Sequence, residues 1–170
     1  MTNNVDKTQP KSAGLGLEQI RALCLGCGAC ASMVGLQMVE DSRGFFRPPT
    51  DAVDENCNKY CPVATLPMKY DENPWGETLC SFLGWSNDPD VRRNASSGGV
   101  ITTCLCYLLD AGLVDAVMQV GPDPNDPLFS EVRFNETAEG VKACSGSRYV
   151  SCPALSRISE AVSSGRRFAA

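Results

Sequence analysis

Three cysteines lie close together near the start of the chain, in the segment CLGCGACASMVG at residues 24–35. Cys24, Cys27 and Cys30 are each separated by two residues, and thiolates at this spacing can turn towards one face of an iron–sulfur cube. The position four residues after Cys30, where a ferredoxin-type run has its fourth cysteine, is occupied by Val34. A fourth ligand must therefore come from elsewhere in the chain.

The best candidate for that ligand is the Cys-Pro pair at residues 61–62. In two-cluster ferredoxins the cysteine of such a pair binds the other cluster, so a distant Cys-Pro is expected where a single cluster is present. The sequence predicts one [4Fe–4S] cluster, and its predicted ligands are Cys24, Cys27, Cys30 and Cys61. Cys57 is the alternative fourth ligand.

A zinc site is the other interpretation of these thiols. Zinc could bind Cys24, Cys27, Cys57 and Cys61, although Cys30 would then have no role. The chain contains no histidine, which excludes mixed Cys/His zinc sites and removes the commonest general base. Among the remaining cysteines, Cys104 and Cys106 are predicted to be small core residues. Cys80, Cys144 and Cys152 have no ligand spacing, and a second cluster that uses some of them is a further alternative.

The composition restricts the class of protein. The chain is 43% apolar and 21% charged, which is typical of a globular protein, and its net charge of −5 argues against a nucleic-acid-binding surface. The N-terminus lacks the apolar core of a secretory signal, and no run is long enough to span a bilayer. We therefore expect a cytoplasmic protein whose ten cysteines include metal ligands rather than disulfides.

The surrounding sequence predicts a small cysteine-rich unit and a connector. Residues 1–14 are predicted to be a disordered tail, residues 15–66 the cluster-binding unit, and residues 67–90 the connector. The predicted elements of the first unit are a helix over 15–25, two strands joined by a turn over 36–49, and a helical turn over 54–62 that Pro62 ends. Residues 63–90 are predicted to be irregular.

Residues 91–170 predict a second unit with alternating helices and strands. Its first predicted elements are a helix capped by Ser96 or Ser97 and ended at Gly112, and strands over 114–121 and 128–135. They are followed by a helix over 137–144 with Thr137 as its cap, a helix over 153–164 with Pro153 in its first turn, and a strand from Arg166. The whole pattern predicts an α+β (mixed α/β) fold, in which a ferredoxin-like cysteine-rich unit precedes a mixed sheet with packed helices. Because the sequence stops at the start of a strand, we expect a chain truncated at its C-terminus.

Two polar segments of the second unit have residues suited to a phosphate-bearing ligand. Residues 96–99 offer backbone amides and the positive end of a helix dipole, although ordinary N-capping by Ser97 would explain the same residues. In residues 145–149, Arg148 offers a phosphate-binding fork and Tyr149 a ring for stacking. Neither segment identifies its ligand by itself.

Five segments together carry a resemblance to a known family: CLGCGAC, GFFRPP, the Cys-Pro pair, RNASSGGVITTCLCYLLDAGLVDAVM and SGSRYVSCPALSRISEAV. They resemble the coenzyme F420 hydrogenase/dehydrogenase beta-subunit family, to which plant 7-hydroxymethyl chlorophyll a reductase is related. The resemblance covers roughly residues 18–168. It implies a [4Fe–4S] cluster, FAD, and electron exchange between the iron–sulfur chain of a partner and a diffusible hydride carrier.

The resemblance also implies roles for particular residues. Ser97, Gly98, Gly99 and Thr102 would line the flavin site, and Ser147, Arg148 and Tyr149 would form its other wall. Residues 91–170 would then be the N-terminal flavin-binding domain, and no catalytic side chain is assigned. Family members usually continue with a strand, a Gly-x-Pro-Cys loop and a long C-terminal domain, which this sequence lacks.

The function implied by the resemblance is that of an oxidoreductase subunit or fragment. It would pass electrons between the cluster and FAD, with a deazaflavin (coenzyme F420) or a similar small molecule as acceptor, and other oxidoreductase subunits or ferredoxin as partners. Whether the chain is an enzyme by itself stays open. The alternatives are a zinc-stabilised, non-catalytic interaction domain and a ferredoxin-dependent reductase of another substrate.

Overall fold

The computed structural model describes residues 22–49, 55–65 and 78–170. The predicted tail at 1–14, most of the predicted helix at 15–25 and much of the predicted connector lie outside the described residues. The elements of the N-terminal part are α1 (Ala29–Val34), β1 (Val39–Glu40), β2 (Phe46–Arg47), α2 (Glu55–Lys59) and α3 (Pro62–Thr65).

Strands β1 and β2 form the predicted antiparallel hairpin, in which Val39 pairs with Arg47. The Asp41 carboxylate accepts hydrogen bonds from the backbone amides of Arg43 and Phe45, at 2.9 and 3.1 Å. An aspartate that bonds the amides following it stabilises a tight turn. The turn predicted from residues 41–44 is therefore confirmed.

The C-terminal part contains the main sheet. Its elements are α4 (Pro89–Asn94), a 3₁₀ turn (Ser97–Gly99), α5 (Val100–Asp110), β3 (Ala116–Pro122), β4 (Ser130–Asn135), α6 (Ala138–Ala143), α7 (Ile158–Ser163) and β5 (Phe168–Ala169). The strand order is β4–β3–β5, with β3 antiparallel to β4 and parallel to β5. The predicted α+β class is confirmed, as is the predicted order of helices and strands from α5 to β5.

The central strand β3 is covered on both faces. On one face Val117, fully buried, packs with Cys106 of α5 and Val141 of α6. On the other face Met118 packs with Val132 of β4 and Ala161 of α7. A strand that is buried on both faces requires apolar residues at successive positions, which explains why residues 116–118 read Ala-Val-Met.

The N-cap of one helix and the start of another differ from the prediction. Helix α5 begins at Val100 as predicted, but its N-cap is Gly99 and not Ser96 or Ser97. Ser97, Gly98 and Gly99 have φ values of 50°, 75° and 78°, which a right-handed helix cannot contain. Helix α7 begins at Ile158, not at Pro153. The segment before it forms turns, in which the Leu155 amide donates a hydrogen bond to a carbonyl outside the helix.

Other differences concern the predicted irregular region and one cysteine. Helix α4 was not predicted, although Asp88 caps it by accepting from the amides of Asp90 and Val91, and Pro89 opens it. Pro62 begins α3 and does not simply end the preceding helix.

Cys106 is buried as predicted, whereas Cys104 is exposed. Residues two apart on a helix point about 200° apart, so both could not face the same core.

The described helices include none that is long and apolar enough to cross a membrane.

Candidate functional site

The cysteine loop, residues 24–30, is shaped by two glycines. Gly26 and Gly28 have φ values of 69° and 83°, which reverse the backbone between successive cysteines. The Gly26 amide donates to the Cys24 Sγ at 3.4 Å, and the Arg47 guanidinium donates to the Cys24 carbonyl at 2.8 Å. The loop is thus fastened to strand β2, and at least one backbone amide points at a cysteine sulfur.

The cysteine loop and the second pair of cysteines occupy one neighbourhood. Cys57 and Cys61 are buried, and helix α2, which carries Cys57, packs against α1, which carries Cys30. The pKa of the Cys30 thiol is raised to about 11, chiefly by burial; the hydrogen bond from the Ala31 amide opposes this change, and the neighbouring Cys57, Cys61 and Cys27 add smaller contributions. The structure therefore brings four of the predicted thiols near one another.

The donor set suits iron and sulfide. Thiolates are the ligands of iron–sulfur clusters, and a bound cation favours the thiolate form that burial disfavours at Cys30. Within the described residues, no group of three or more cysteine or carboxylate side chains is placed to hold a single metal ion. Cys24, Cys27 and Cys30 would hold such a cluster with Cys61 or Cys57.

The two polar segments of the second unit lie side by side. The Ser96 hydroxyl is hydrogen-bonded to the Ser147 hydroxyl at 2.7 Å, and a Cβ placed on Gly146 would be 3.5 Å from the Asn94 carbonyl. We call residues 96–99 the glycine turn and residues 145–149 the wall segment. The sequence predicts Ser96 only as an N-cap, whereas in the structure its hydroxyl contacts the wall segment.

The glycine turn needs its glycines because its neighbours are close. A Cβ on Gly98 would be 3.1 Å from the Trp85 Cβ, and one on Gly99 would be 2.8 Å from a methyl group of Val91. Gly99 is the N-cap of α5 and has no side chain to bond the first helical amides. Those amides are therefore placed at the positive end of an 11-residue helix, where anions bind favourably. Thr102 is buried, whereas Ser97 is exposed.

Arg148 and Tyr149 of the wall segment have different environments. The Arg148 guanidinium donates to the Ser130 hydroxyl and to the carbonyls of Phe129 and Pro127, at 3.0, 3.0 and 3.2 Å. It thus braces the turn before β4. The Tyr149 side chain is 96% exposed, so its ring is accessible to a planar ligand.

A cavity of about 310 Å³ lies on the α7 face of the sheet. Its aromatic walls are Phe134 and Phe168. The arginines that line it are each paired with a glutamate, Arg157 with Glu160 and Arg166 with Glu136. None of the site residues predicted from the sequence lines this cavity.

Part of the chain matches the model of a known protein family. Residues 81–159 match the family model described as coenzyme F420 hydrogenase/dehydrogenase, beta subunit N-term. This segment is therefore similar to the N-terminal part of that beta-subunit family. The match contains the glycine turn and the wall segment, while the cysteines at 24–61 precede it.

Two curated relatives carry the name coenzyme F420 hydrogenase subunit beta. The protein of Methanothermobacter thermautotrophicus is 29% identical over 77 residues, which are 45% of this chain and 27% of the relative. The protein of Methanosarcina barkeri is 27% identical over 94 residues, which are 55% of this chain and 32% of the relative. The aligned part of the chain thus spans about a third or less of these beta-subunit relatives.

A solved structure is also similar. It is the xenon-derivatised F420-reducing [NiFe] hydrogenase complex from Methanosarcina barkeri, one chain of which is 28% identical with a TM-score of 0.43. The similarity covers 47% of this chain and 27% of that chain.

Proposed function

We propose that the chain is an iron–sulfur flavoprotein subunit of an oxidoreductase, which passes electrons between a [4Fe–4S] cluster and FAD. The observation that carries the proposal is the match of residues 81–159 to the beta-subunit family. The neighbourhood of Cys30, Cys57, Cys61 and Cys27 supports the cluster. The contact between the glycine turn and the wall segment supports a single ligand site there.

Each group of residues has a distinct role in this proposal. Cys24, Cys27 and Cys30 hold the cluster together with Cys61 or Cys57. The amides at the start of α5 bind the flavin phosphates, and Ser97, Gly98 and Gly99 let that anion approach the backbone. The Tyr149 ring packs on a planar part of the ligand, Ser147 orders the wall through Ser96, and Arg148 braces it. Thr102, which would line the same site, is buried near the start of α5. When bound, the flavin supplies the exchange between one-electron and two-electron transfer.

The proposed partners follow from the names of the relatives. Both curated relatives are called coenzyme F420 hydrogenase subunits, so we propose a deazaflavin or a similar small molecule as acceptor. Other oxidoreductase subunits or ferredoxin would exchange electrons with the cluster, and a ferredoxin-dependent reductase of another substrate uses the same cofactors. Reduced thiols at the cysteine loop suit a cytoplasmic location.

Metal and flavin analysis of the anaerobically purified chain tests this proposal. We expect about four iron and four sulfide per chain, broad visible absorption, and FAD released on denaturation. The Cys27→Ser variant should lose the iron, whereas Cys104→Ser, which removes an exposed thiol on α5, should keep it. One zinc ion in a colourless protein would instead identify the zinc-stabilised interaction domain.

A further inference from the structure

We propose that residues 153–159, which we call the strap, position the cysteine loop, and that the Leu155 amide and Ser159 are the two attachment points. The inference deepens the proposed function and rests on it for the identity of the cluster. The contacts of the strap, however, are between residues of this chain. They can be tested by measurements that do not depend on catalysis.

The first attachment point lies at the backbone of a predicted ligand. The Leu155 amide donates to the Cys27 carbonyl at 2.6 Å. At the next residue the loop touches the strap directly, since a Cβ on Gly28 would be 3.0 Å from the backbone N and Cα of Ser156 and 3.1 Å from the Pro153 Cβ. Only glycine fits at position 28 without displacing the strap.

The second attachment point lies on the helix that carries Cys30. The Ser32 hydroxyl of α1 is hydrogen-bonded to the Ser159 hydroxyl of α7 at 2.8 Å, and it accepts from the Ser159 amide at 3.1 Å. The Ser32 side chain is 9% exposed, so water competes poorly for these bonds. The strap therefore fixes the backbone at Cys27 and the helix at Cys30 simultaneously.

The strap is continuous with the wall segment. Just before it, the Cys152 thiol lies 3.6 Å from the Ser130 carbonyl, and Arg148 bonds the Ser130 hydroxyl. One stretch of chain, residues 147–159, thus connects the proposed flavin wall to the cysteine loop. Displacing the strap is expected to disturb cluster retention at one end and the wall at the other.

A pair of glycine variants separates strap contact from backbone strain. Gly28 and Gly35 flank α1 with φ values of 83° and 76°, so alanine is strained at either position. A Cβ on Gly35 meets nothing within 4 Å, whereas one on Gly28 meets the strap. In the iron-loaded chain, a colorimetric Fe(II) chelator should remove iron at least about fivefold faster from Gly28→Ala than from Gly35→Ala, as expected for the loss of one hydrogen bond or more. Equal rates would overturn the proposal.

A second set of variants leaves the cysteine loop itself unchanged. Ser159→Ala should release iron about fivefold faster than the wild type, while Ser159→Thr, which keeps the hydroxyl, should restore slow release. The reduction potential of the cluster should shift in Ser159→Ala and return in Ser159→Thr. If Ser159→Ala released iron at the wild-type rate, or if Ser159→Thr did not restore slow release, the role of Ser159 would be overturned.

Hydrogen exchange distinguishes failure of the strap from failure of the proposed function. The Leu155 amide should exchange at least about fivefold faster in Gly28→Ala than in Gly35→Ala, whether or not iron is bound. If the wild-type chain contains no iron, the cluster is rejected, and this exchange comparison alone decides whether the strap contacts the loop. Equal exchange in the two variants would reject the strap.

Discussion

Ser97 is the residue at which the glycine turn stores strain. Its φ of 50° lies in the left-handed region, which costs a residue with a Cβ about 1–2 kcal/mol, and two glycines with positive φ follow it. Such strain persists only where the surroundings fix the backbone. Here the Ser86 amide donates to the Gly98 carbonyl at 2.7 Å, and Trp85 and Val91 enclose the two glycines. Strain held in this way is a recurrent property of ligand-binding turns.

Replacing Tyr149 tests the proposed contact between its ring and the flavin. Because this side chain is 96% exposed, Tyr149→Ala should leave the thermal midpoint unchanged and yet weaken FAD binding about fivefold, from the loss of about 1 kcal/mol of stacking. Tyr149→Phe should bind FAD as the wild type does. Fluorescence titration of the flavin-free protein measures both affinities. Wild-type affinity in the alanine variant would remove Tyr149 from the site.

At the scale of elements, the sheet is stabilised by helices on both faces. Val141 of α6 is 1% exposed and packs with Val117 and Cys106, whereas Val162 of α7 is 57% exposed. Both are valines in six-residue helices, so a change to alanine alters helix propensity equally. The two sites therefore form a matched pair that differs mainly in burial.

We expect Val141→Ala to reduce the free energy of unfolding by about 2 kcal/mol, from lost apolar burial and the cavity left behind. Val162→Ala should change it by less than about 0.5 kcal/mol, as is usual for exposed sites. Denaturant unfolding followed by circular dichroism measures both values. Similar losses in the two variants would contradict the assignment of α6 to the core.

Local sequence patterns predicted the existence of helices and strands more accurately than the residues at which they begin. The hairpin at 39–47, the strands β3 and β4, and the Thr137 cap of α6 depend on neighbouring residues, and each was predicted. The start of α7 was not, because the Leu155 amide is bonded to Cys27, more than a hundred residues earlier in the chain. The Ser96–Ser147 contact is likewise non-local. The spacing of the cysteines indicated which side chains could bind a metal. The residues that hold those cysteines in place could not be predicted, because they contact them only in the folded chain.

At the scale of the whole molecule, the cysteine-rich part and the sheet are stacked. Helix α1 packs against α7, and α7 covers the face of the sheet that contains Met118. Helices α5 and α6 cover the opposite face. The cysteine loop is therefore connected to the sheet through α7 and the strap.

The edge of that sheet depends on a charged pair. Strand β5 contributes only Phe168 and Ala169 to the ladder. Arg167 lies immediately before β5, and Asp115 lies immediately before β3. The Asp115 carboxylate accepts hydrogen bonds from the Arg167 guanidinium at 2.7 Å and from the Arg167 backbone amide at 2.9 Å. The side-chain hydrogen bond from Arg167, followed by its backbone amide, lowers the pKa of Asp115 below the ordinary 3.8. The carboxylate form therefore ties β5 to β3.

The pH dependence of stability follows from the sign of this shift. Because the pKa of Asp115 is lower in the folded than in the unfolded chain, the pair stabilises the protein above the ordinary pKa, and this contribution is lost as the pH falls below about 4. Asp115→Asn, which cannot ionise, should have a lower thermal midpoint at pH 6 and a smaller drop in midpoint between pH 6 and pH 3 than the wild type. Melting curves of both proteins across this range, at low and high salt, measure the difference, which salt should reduce because the pair is exposed. Parallel pH profiles for the two proteins would mean that the Asp115–Arg167 pair does not hold β5 in place.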